Sequence, residues 1–470
     1  MTTNPVVPGV LPHDGRLSVS AGAARNLATA TVTALQNSET TPRWLHRLLP
    51  WVDVAGGVYR VNRRALLVTR PGRVALEGGA IVPASLARIP SLSGLSAEVL
   101  AKLAGLFEVR DGGAGDVLFQ PGEVPPGLVV IADGAVDLTV PGPFGTPVRQ
   151  KLIGAGGYFG EETLAGHDPA GATVTARSAA RVLVLTRQAI AGVAGVSEAI
   201  VDAVANRAAL EAQSNAYGET RIDLLAGHTG EPLLPTTFVD YVDHPREYHL
   251  STIQTVLHTH TRITDLYSNQ VDQLREQVRL TVEAVKEREE WELVNNPDFG
   301  LLREVASGFR IPTRSGPPTP DDLDELLTLV WKKPAFFLAH PKAIAAFGRE
   351  ATRRGVPPAT VTLFGSPFIT WRGVPLIPSD KLPVTVTNGV ATSSILLLRV
   401  GEAEQGVVGL QKAGVTGEVE PGLSVRYSGT SEHSIASHLV TRYFSAAVLV
   451  EDAIARLDNV VIGNYHAYSY

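Results

Sequence analysis

The chain of 470 residues contains no cysteine, and its single methionine is Met1. Disulfide bridges, thiolate metal sites and cysteine nucleophiles are therefore excluded. The N-terminus shows no basic-then-apolar signal, and no apolar run is long enough to cross a bilayer. The charge is nearly balanced, with 41 Lys and Arg against 47 Asp and Glu, which argues against a dedicated nucleic-acid-binding protein. We expect a soluble cytoplasmic protein with neither a nucleic-acid nor a membrane partner.

Recognisable catalytic motifs are also missing. The sequence has no GxSxG elbow, no Walker A loop and no dinucleotide fingerprint. Five histidines lie close together in the sequence, but the last two are only two positions apart, which separates them on the helix that we expect there. We therefore expect neither an enzyme nor a metal site. The five histidines are His228, His244, His249, His258 and His260.

The most specific motif is YFGEETLAGHDPAGATV at residues 158–174. The pattern predicts a strand end, a short helical turn from Glu161, a second turn at residues 168–169 and a new strand. Backbone N–H groups at such a helical turn can face a phosphate, and a glutamate can accept a hydrogen bond from a sugar hydroxyl. The candidate site residues are Gly160, Glu161, Thr163 and Thr173.

Short strands separated by glycine-rich turns surround this motif and predict a small antiparallel β-roll flanked by helices. Four motifs resemble the cyclic-nucleotide-binding domain over residues 91–206: PGE at 121–123, DGAVDL at 133–138, FGE at 159–161 and ATV at 172–174.

One residue that this resemblance implies is missing from the motif. In that family the cassette ends in an arginine that pairs with the cyclic phosphate, whereas Ala170 follows the proline here. Arg177 lies several residues further on and is only a weak substitute. We therefore expect no bound cofactor, and a cyclic nucleotide is the alternative that stays open.

A long amphipathic helix is predicted at residues 255–295, because apolar residues recur there every three or four positions and the pattern ends before Pro297. The breaker SGPPTP at residues 315–320 follows, and then helices and strands alternate in what reads as a compact α/β lobe. Two segments, 44–51 and 233–248, are apolar without evident local partners.

The helix, the stretch LFGSPFITWRGVPLIPSDKL at 363–382 and the closing RYFSAAVLVEDAIARLDNVVI at 442–462 resemble phage major capsid proteins and their cellular relatives, the encapsulins. A nucleotide-domain-like insert is typical of one branch of the second encapsulin family. The resemblance implies an α+β fold of the Hong Kong 97 capsid type with an inserted β-roll. The implied organisation is an N-terminal arm (1–45), the first part of an extended loop (46–90), the inserted domain (91–210), the loop return and peripheral domain with its spine helix (211–315), an axial domain (316–428) and a peripheral return (429–470).

In function, the resemblance implies a self-assembling homo-oligomer, an icosahedral encapsulin nanocompartment of about sixty copies that encloses a cargo enzyme. Relatives enclose terpene cyclases, prenyl transferases or cysteine desulfurases. The inserted domain would be displayed on the outer surface. Segments 44–51 and 233–248 would be buried against other subunits, and either 44–51 or the early helix at about residues 21–35 would lie on the inner face and help to capture cargo.

The alternative is a cyclic-nucleotide-responsive regulatory protein. Such a protein would need a helix-turn-helix or a catalytic domain after the β-roll. The sequence predicts a long helix and an α/β lobe there instead.

Overall fold

The computed structural model describes residues 37–63, 65, 73–93, 95–120, 127–142, 147–164, 172–193, 195–227, 230, 233–236, 245–262, 272–387 and 389–465. Most of the predicted arm, the turn at residues 121–123 and Ala170 lie outside these residues.

The predicted β-roll is present as two four-stranded antiparallel sheets, ordered β10-β7-β12-β5 and β6-β11-β8-β9. Strand β7 shows how they pack: Val129 and Ile131 point between the sheets, whereas Leu128 and Val130 point to the flanking helices. The roll and its helices form the inserted module. Its strands are β5 (Glu108–Gly112), β6 (Val117–Phe119), β7 (Leu128–Asp133), β8 (Ala135–Pro141), β9 (Pro147–Gly154), β10 (Tyr158–Phe159), β11 (Thr173–Ala176) and β12 (Ala180–Leu185), and its helices are α2 (Ala97–Ala104), α3 (Glu161–Leu164), α4 (Arg187–Ala191) and α5 (Val196–Gln213).

The body of the protein contains a six-stranded sheet built around one long strand, β25. Helix α6 crosses this sheet and packs Val285 against Leu423 and Val440. The sequence predicts two strands, at residues 437–443 and 446–450. The structure instead has the single strand β25, because no turn interrupts it. The elements are β1 (Trp51–Asp53), β14 (Ser251–His260), β22 (Val407–Gln411), β23 (Glu418–Glu420), β24 (Leu423–Thr430), β25 (Ile435–Val448) and α6 (Gln273–Asn295).

The predicted start of the spine helix is wrong. The helix α6 begins at Gln273, after Asp272 accepts a hydrogen bond from the Arg275 N–H at 2.9 Å. Residues 251–260 instead form β14, which pairs with β25 in unbroken antiparallel register. This segment alternates β-branched residues such as Ile253 and Thr255, which favour an extended backbone when a partner strand is available.

An eight-stranded mixed sheet with helices α8 and α9 forms the compact α/β lobe that the sequence predicts. The α8 N-terminus has a capping box between Thr319 and Asp322. The last strand, β26, returns from the end of the chain and completes the sheet. The elements are β15 (Arg310–Pro312), β16 (Phe336–Ala339), β17 (Ala359–Leu363), β18 (Ser366–Trp371), β19 (Val374–Pro378), β20 (Thr385–Thr387), β21 (Val390–Leu398), β26 (Ile454–Val461), α8 (Pro320–Leu329) and α9 (Pro341–Arg353).

The two halves of the extended loop pair with each other, since β2 and β13 run antiparallel with Tyr59 opposite Tyr248. The Tyr248 hydroxyl contacts the Glu304 carboxylate (2.9 Å) and the Val448 carbonyl (3.0 Å), which joins the loop to the body. The remaining elements are α1 (Trp44–Leu48), β2 (Val58–Val61), β3 (Leu76–Glu77), β4 (Ala80–Ile81), β13 (Arg246–His249) and α7 (Leu301–Glu304).

The apolar segment at residues 44–51 finds its partners in its own subunit, contrary to the sequence-based prediction. Trp44, Leu45 and Leu49 are buried in the body core. Glu290 of α6 accepts the N–H groups of Leu45 (3.1 Å) and His46 (2.8 Å). These buried side chains are therefore not available to hold cargo. The sequence hides this partnership because the two segments are more than 240 residues apart.

Replacing Glu290 with Gln should change the pH dependence of thermal stability. Burial raises the pKa of Glu290 to about 7, although the N–H groups of His46 and Leu45 oppose the effect, whereas its ordinary value is 4.5. Between these two values the folded chain holds a proton that the unfolded chain has released, so this carboxyl makes stability fall as the pH rises. Relative to Glu290→Gln, the wild type should lose on the order of 1–3 kcal/mol between about pH 5 and pH 8.

The measurement is the thermal midpoint of both proteins at several pH values. Glu276→Gln is the matched control, because Glu276 lies near the start of the same helix and pairs with Arg279 at 3.0 Å. The control should keep the wild-type slope. Parallel pH profiles for wild type and Glu290→Gln would contradict the assignment.

Candidate functional site

The candidate cassette is a tight turn between β10 and α3. Gly160 adopts φ +81°, and a Cβ atom at this position would lie 2.6 Å from the Gly127 carbonyl oxygen. The backbone N–H and hydroxyl of Thr163 both donate to the Gly160 carbonyl, at 3.2 and 2.7 Å. Glycine is therefore required at position 160 by both conformation and space.

The structure brings three of the four predicted site residues together. Glu161 follows Gly160 directly, and its carboxylate accepts a long hydrogen bond from the Ser91 N–H at 3.4 Å. Thr163 is buried, and its hydroxyl is used within the turn. Thr173 instead begins β11 in the opposite sheet, where its carbonyl accepts from the Thr139 hydroxyl at 3.3 Å.

Arg177 is directed to a carboxylate of the module itself. Its guanidinium lies 3.6 Å from the carboxylate of Asp137, which Arg149 also contacts at 3.4 Å. Ala170, which the sequence resemblance places at the position of the phosphate-binding arginine, lies outside the described residues.

Apolar side chains fill the space between the two sheets of the roll. Phe119 and Phe159 meet edge to face with ring centroids 6.1 Å apart, and Val174 packs beside them. These side chains form the closed apolar interior of the roll.

A contact that the sequence did not reveal seats the module on the body. Arg73 donates to the Ala155 carbonyl of the module (2.9 Å) and to the Arg310 carbonyl of the body (3.1 Å). The same guanidinium lies 3.4 Å from the Asp458 carboxylate. No local pattern could have marked Arg73, because its partners are far away in the sequence.

Asp458 is the buried centre of this contact. Arg310 and Arg456 approach its carboxylate to 3.2 and 2.6 Å, in addition to Arg73. Burial alone would raise the pKa of Asp458, but the positive charges of Arg456, Arg310 and Arg73 outweigh it and lower that pKa. Burial also lowers the pKa of Arg73, to about 10. Asp458 and Arg73 therefore stay charged at neutral pH.

A second contact holds the two connections between module and body. Arg63 donates to the Glu219 carboxylate (2.9 Å) and the Tyr217 carbonyl (2.9 Å), and also pairs with Glu451 of the body. Lys332 lies 4.4 Å from the centre of the Tyr217 ring. The chain thus enters and leaves the module at one anchored point.

Of the five histidines clustered in the sequence, the three that the structure describes lie on strands, which corrects the helical expectation. His249 is in β13, and His258 and His260 lie on the same face of β14, because residues two apart on a strand point the same way. His258 Nδ1 is 3.0 Å from the Ser437 hydroxyl. Among the described residues no group of three potential ligands could hold a metal ion. His228 and His244 lie outside those residues.

Comparison with known proteins decides the family. A family model described as Type 2A encapsulin shell protein SrpI-like matches residues 207–464, more than half of the chain. The chain belongs to this encapsulin family. A Type 2A encapsulin shell protein SrpI of Synechococcus elongatus is 61% identical over 251 residues, which is 53% of this chain and 81% of that protein. A Type 2A encapsulin shell protein of Mycobacterium leprae is 58% identical over 243 residues, 52% of this chain and 78% of that protein.

The fold prediction is confirmed as well. The cryo-EM structure of the holo-SrpI encapsulin complex from Synechococcus elongatus matches with a TM-score of 0.54 and 38% identity, over 96% of this chain and 100% of that chain. A second family model, the cyclic nucleotide-binding domain, matches residues 110–194. This encapsulin shell protein therefore carries a nucleotide-domain-like module ahead of residues 207–464, which the encapsulin family model matches. None of its described helices has the length and apolar character of a membrane span.

Gly160→Ala should destabilise the cassette more than a matched glycine replacement elsewhere in the module. Both Gly160 and Gly115 have positive φ, but a Cβ at Gly115 would meet nothing within 4 Å. The backbone strain, about 1 kcal/mol, is common to both variants, and the clash with Gly127 should add roughly 1–3 kcal/mol for Gly160→Ala. Hydrogen exchange of residues 158–164 measures the difference. Equal exchange rates in the two variants would contradict the close approach of position 160 to the Gly127 carbonyl.

Proposed function

We propose that this encapsulin shell protein assembles into a closed icosahedral shell of about sixty copies that encloses a cargo enzyme, with the inserted module on the outer surface. Membership of the shell-protein family supports the assembly. The cargo, by the same reasoning, is an enzyme such as a terpene cyclase, a prenyl transferase or a cysteine desulfurase. The role of the chain itself is structural rather than catalytic, and a nanocompartment in the cytoplasm is its proposed location.

One observation carries the proposed self-association: large apolar side chains stand in solvent along the loop between module and β13. Leu224, Leu233 and Leu234 are 84%, 98% and 64% exposed. Burying a leucine side chain stabilises by roughly 1.5–3 kcal/mol, so a run of exposed leucines favours contact with another surface. Residues 44–51 and Tyr248 already cover apolar surface of the body in the same chain. We therefore propose that a second copy supplies the surface that buries these leucines.

We propose the domain boundaries predicted from the sequence, with changes at three limits. Val74, Ile81 and Leu86 pack in the same core as Leu128 and Leu185 of the roll. The module therefore begins near residue 74 rather than at residue 91. The limits at residues 315 and 428 also change, because β15 and β26 complete the sheet of the α/β lobe, whereas β22 to β24 belong to the six-stranded sheet. The limits at residues 45 and 210 stay as predicted.

Charging the exposed leucines should prevent assembly. The double variant Leu224→Glu with Leu233→Glu introduces two carboxylates into the proposed contact, where burial of an unpaired charge is strongly unfavourable. Size-exclusion chromatography and negative-stain microscopy should show hollow particles for the wild type and small oligomers for the variant.

Leu210→Glu is the control, because Leu210 is exposed on helix α5 of the module. It should assemble like the wild type. Wild-type protein that stays monomeric or dimeric at micromolar concentration would refute the proposed shell, and intact particles from the double variant would refute the role of the leucines.

We further propose that the module does not bind an ordinary cyclic nucleotide with high affinity. Three observations support this: alanine at position 170, the pairing of Arg177 with Asp137, and the bond from Ser91 to Glu161. Isothermal titration of the assembled protein with cyclic AMP should show no binding with a dissociation constant below about 10 μM, because the charge-assisted phosphate contact is missing. Sub-micromolar binding would overturn the proposal and favour a ligand-responsive regulatory role.

A further inference from the structure

The turn at residues 155–157, which accepts a hydrogen bond from Arg73 at the Ala155 carbonyl, leads directly into the candidate cassette. Gly156 donates to the Ile131 carbonyl (2.7 Å) and Ile131 donates to the Gly157 carbonyl (2.9 Å), so the turn is fixed to β7. β10 follows at once and pairs with β7, and Gly160 comes next. Only a hydrogen-bonded turn at residues 155–157 and the two residues of β10 separate the carbonyl of Ala155 from the cassette. A displacement of the cassette would therefore move the turn.

On the body side, Asp458 connects Arg73 to several strands of the eight-stranded sheet of the α/β lobe, here called the axial sheet. Arg310 belongs to β15 and Arg456 to β26, and both contact the Asp458 carboxylate. Arg456 also donates to the Leu302 carbonyl (2.9 Å) and the Ser394 hydroxyl (3.2 Å). Because these groups are buried and charged, a shift of Arg73 cannot leave them unaffected.

The module and the body also meet along β9. A Cβ at Gly154 would lie 3.1 Å from the Pro312 Cβ of β15. Beside this contact, Arg149 and Lys151 of the module share a cleft of about 370 Å³ with acidic residues of α8. The acidic residues that line it are Asp321, Asp324 and Glu325.

Two anchors hold the module at separate points. The first is the connection point around Arg63, Glu219 and Glu451, and the second is the contact around Arg73 and Asp458. A domain attached at one point can rotate about it, whereas two charged attachments at separate points define one orientation.

We propose that the module is docked in a fixed position on its own subunit and that Arg73 couples the Ala155–Gly157 turn to Asp458 and the axial sheet. The seam along β9 and α8 is thus an interaction surface whose partner is the body of the same chain. The coupling links the cassette to the shell wall whatever ligand the cassette takes.

A cysteine pair tests the docked position, because the natural chain has no cysteine to interfere. Gly154→Cys with Pro312→Cys places two Cβ atoms near the separation of about 3.5–4.5 Å that a disulfide needs. Mild oxidation of the assembled protein should give a cross-link within one chain, seen as a shifted monomer band on a non-reducing gel. Gly115→Cys with Pro312→Cys should stay reduced. A missing cross-link, or one between two chains, would overturn the docked position.

Arg73→Met tests the coupling. Hydrogen exchange in the assembled protein should rise by at least about tenfold both at residues 154–159 and at residues 456–462, because one guanidinium holds both segments. Arg181→Met is the control, since Arg181 forms the exposed pair with Asp111 in the same module, and it should change neither segment. A rise confined to one segment, or none, would overturn the coupling. If Arg73→Met does not fold, the same exchange is measured on Arg73→Lys, and the same outcomes apply. Lysine keeps the positive charge but lacks the planar guanidinium that donates to several acceptors at once.

Discussion

Buried carboxylates on helix α6 hold the body of this encapsulin shell protein together. Glu289 accepts two hydrogen bonds from Arg442 of β25, at 2.9 and 2.8 Å, and both groups are almost fully buried. Glu290, one residue on, holds the backbone of Leu45 and His46. Removing one partner of a buried charge pair such as Glu289 and Arg442 costs about 3–5 kcal/mol, so this pair fixes helix α6 against the sheet. Burial, with Arg442 adding to it, lowers the pKa of His46 to about 4, and this ring stays neutral.

The position of the inserted module follows from that arrangement. Strands β2 and β13 pair with each other, and an isolated bridge between Ala65 and Glu219 continues the pairing towards the module. The chain therefore leaves and returns to the body at neighbouring points, which is the condition under which a whole domain can be inserted without disturbing the host fold. Arg73 then supplies a second attachment, so the insert and the shell domain form one mechanical unit.

The sequence was sufficient to predict an element where residues within a few positions of one another specify it. The antiparallel β-roll around residues 158–174 and the α/β lobe after residues 315–320 are present as the sequence predicts, because turn residues and caps act over a few residues. The predicted spine helix begins too early, because the prediction extends the helical pattern of the later residues back over residues 255–260. Only the presence of β25 beside them selects the strand.

The amino-acid sequence by itself determined the kind of protein: its motifs carried the capsid fold, the nucleotide-type cassette and the loss of the phosphate arginine at Ala170. The tertiary structure decided the partnerships. Residues 44–51 are buried by a helix far along the chain, and Arg73 meets Asp458 across a comparable separation. Such contacts depend on where the packed elements bring charges and apolar faces together, and no pattern of neighbouring residues encodes that distance.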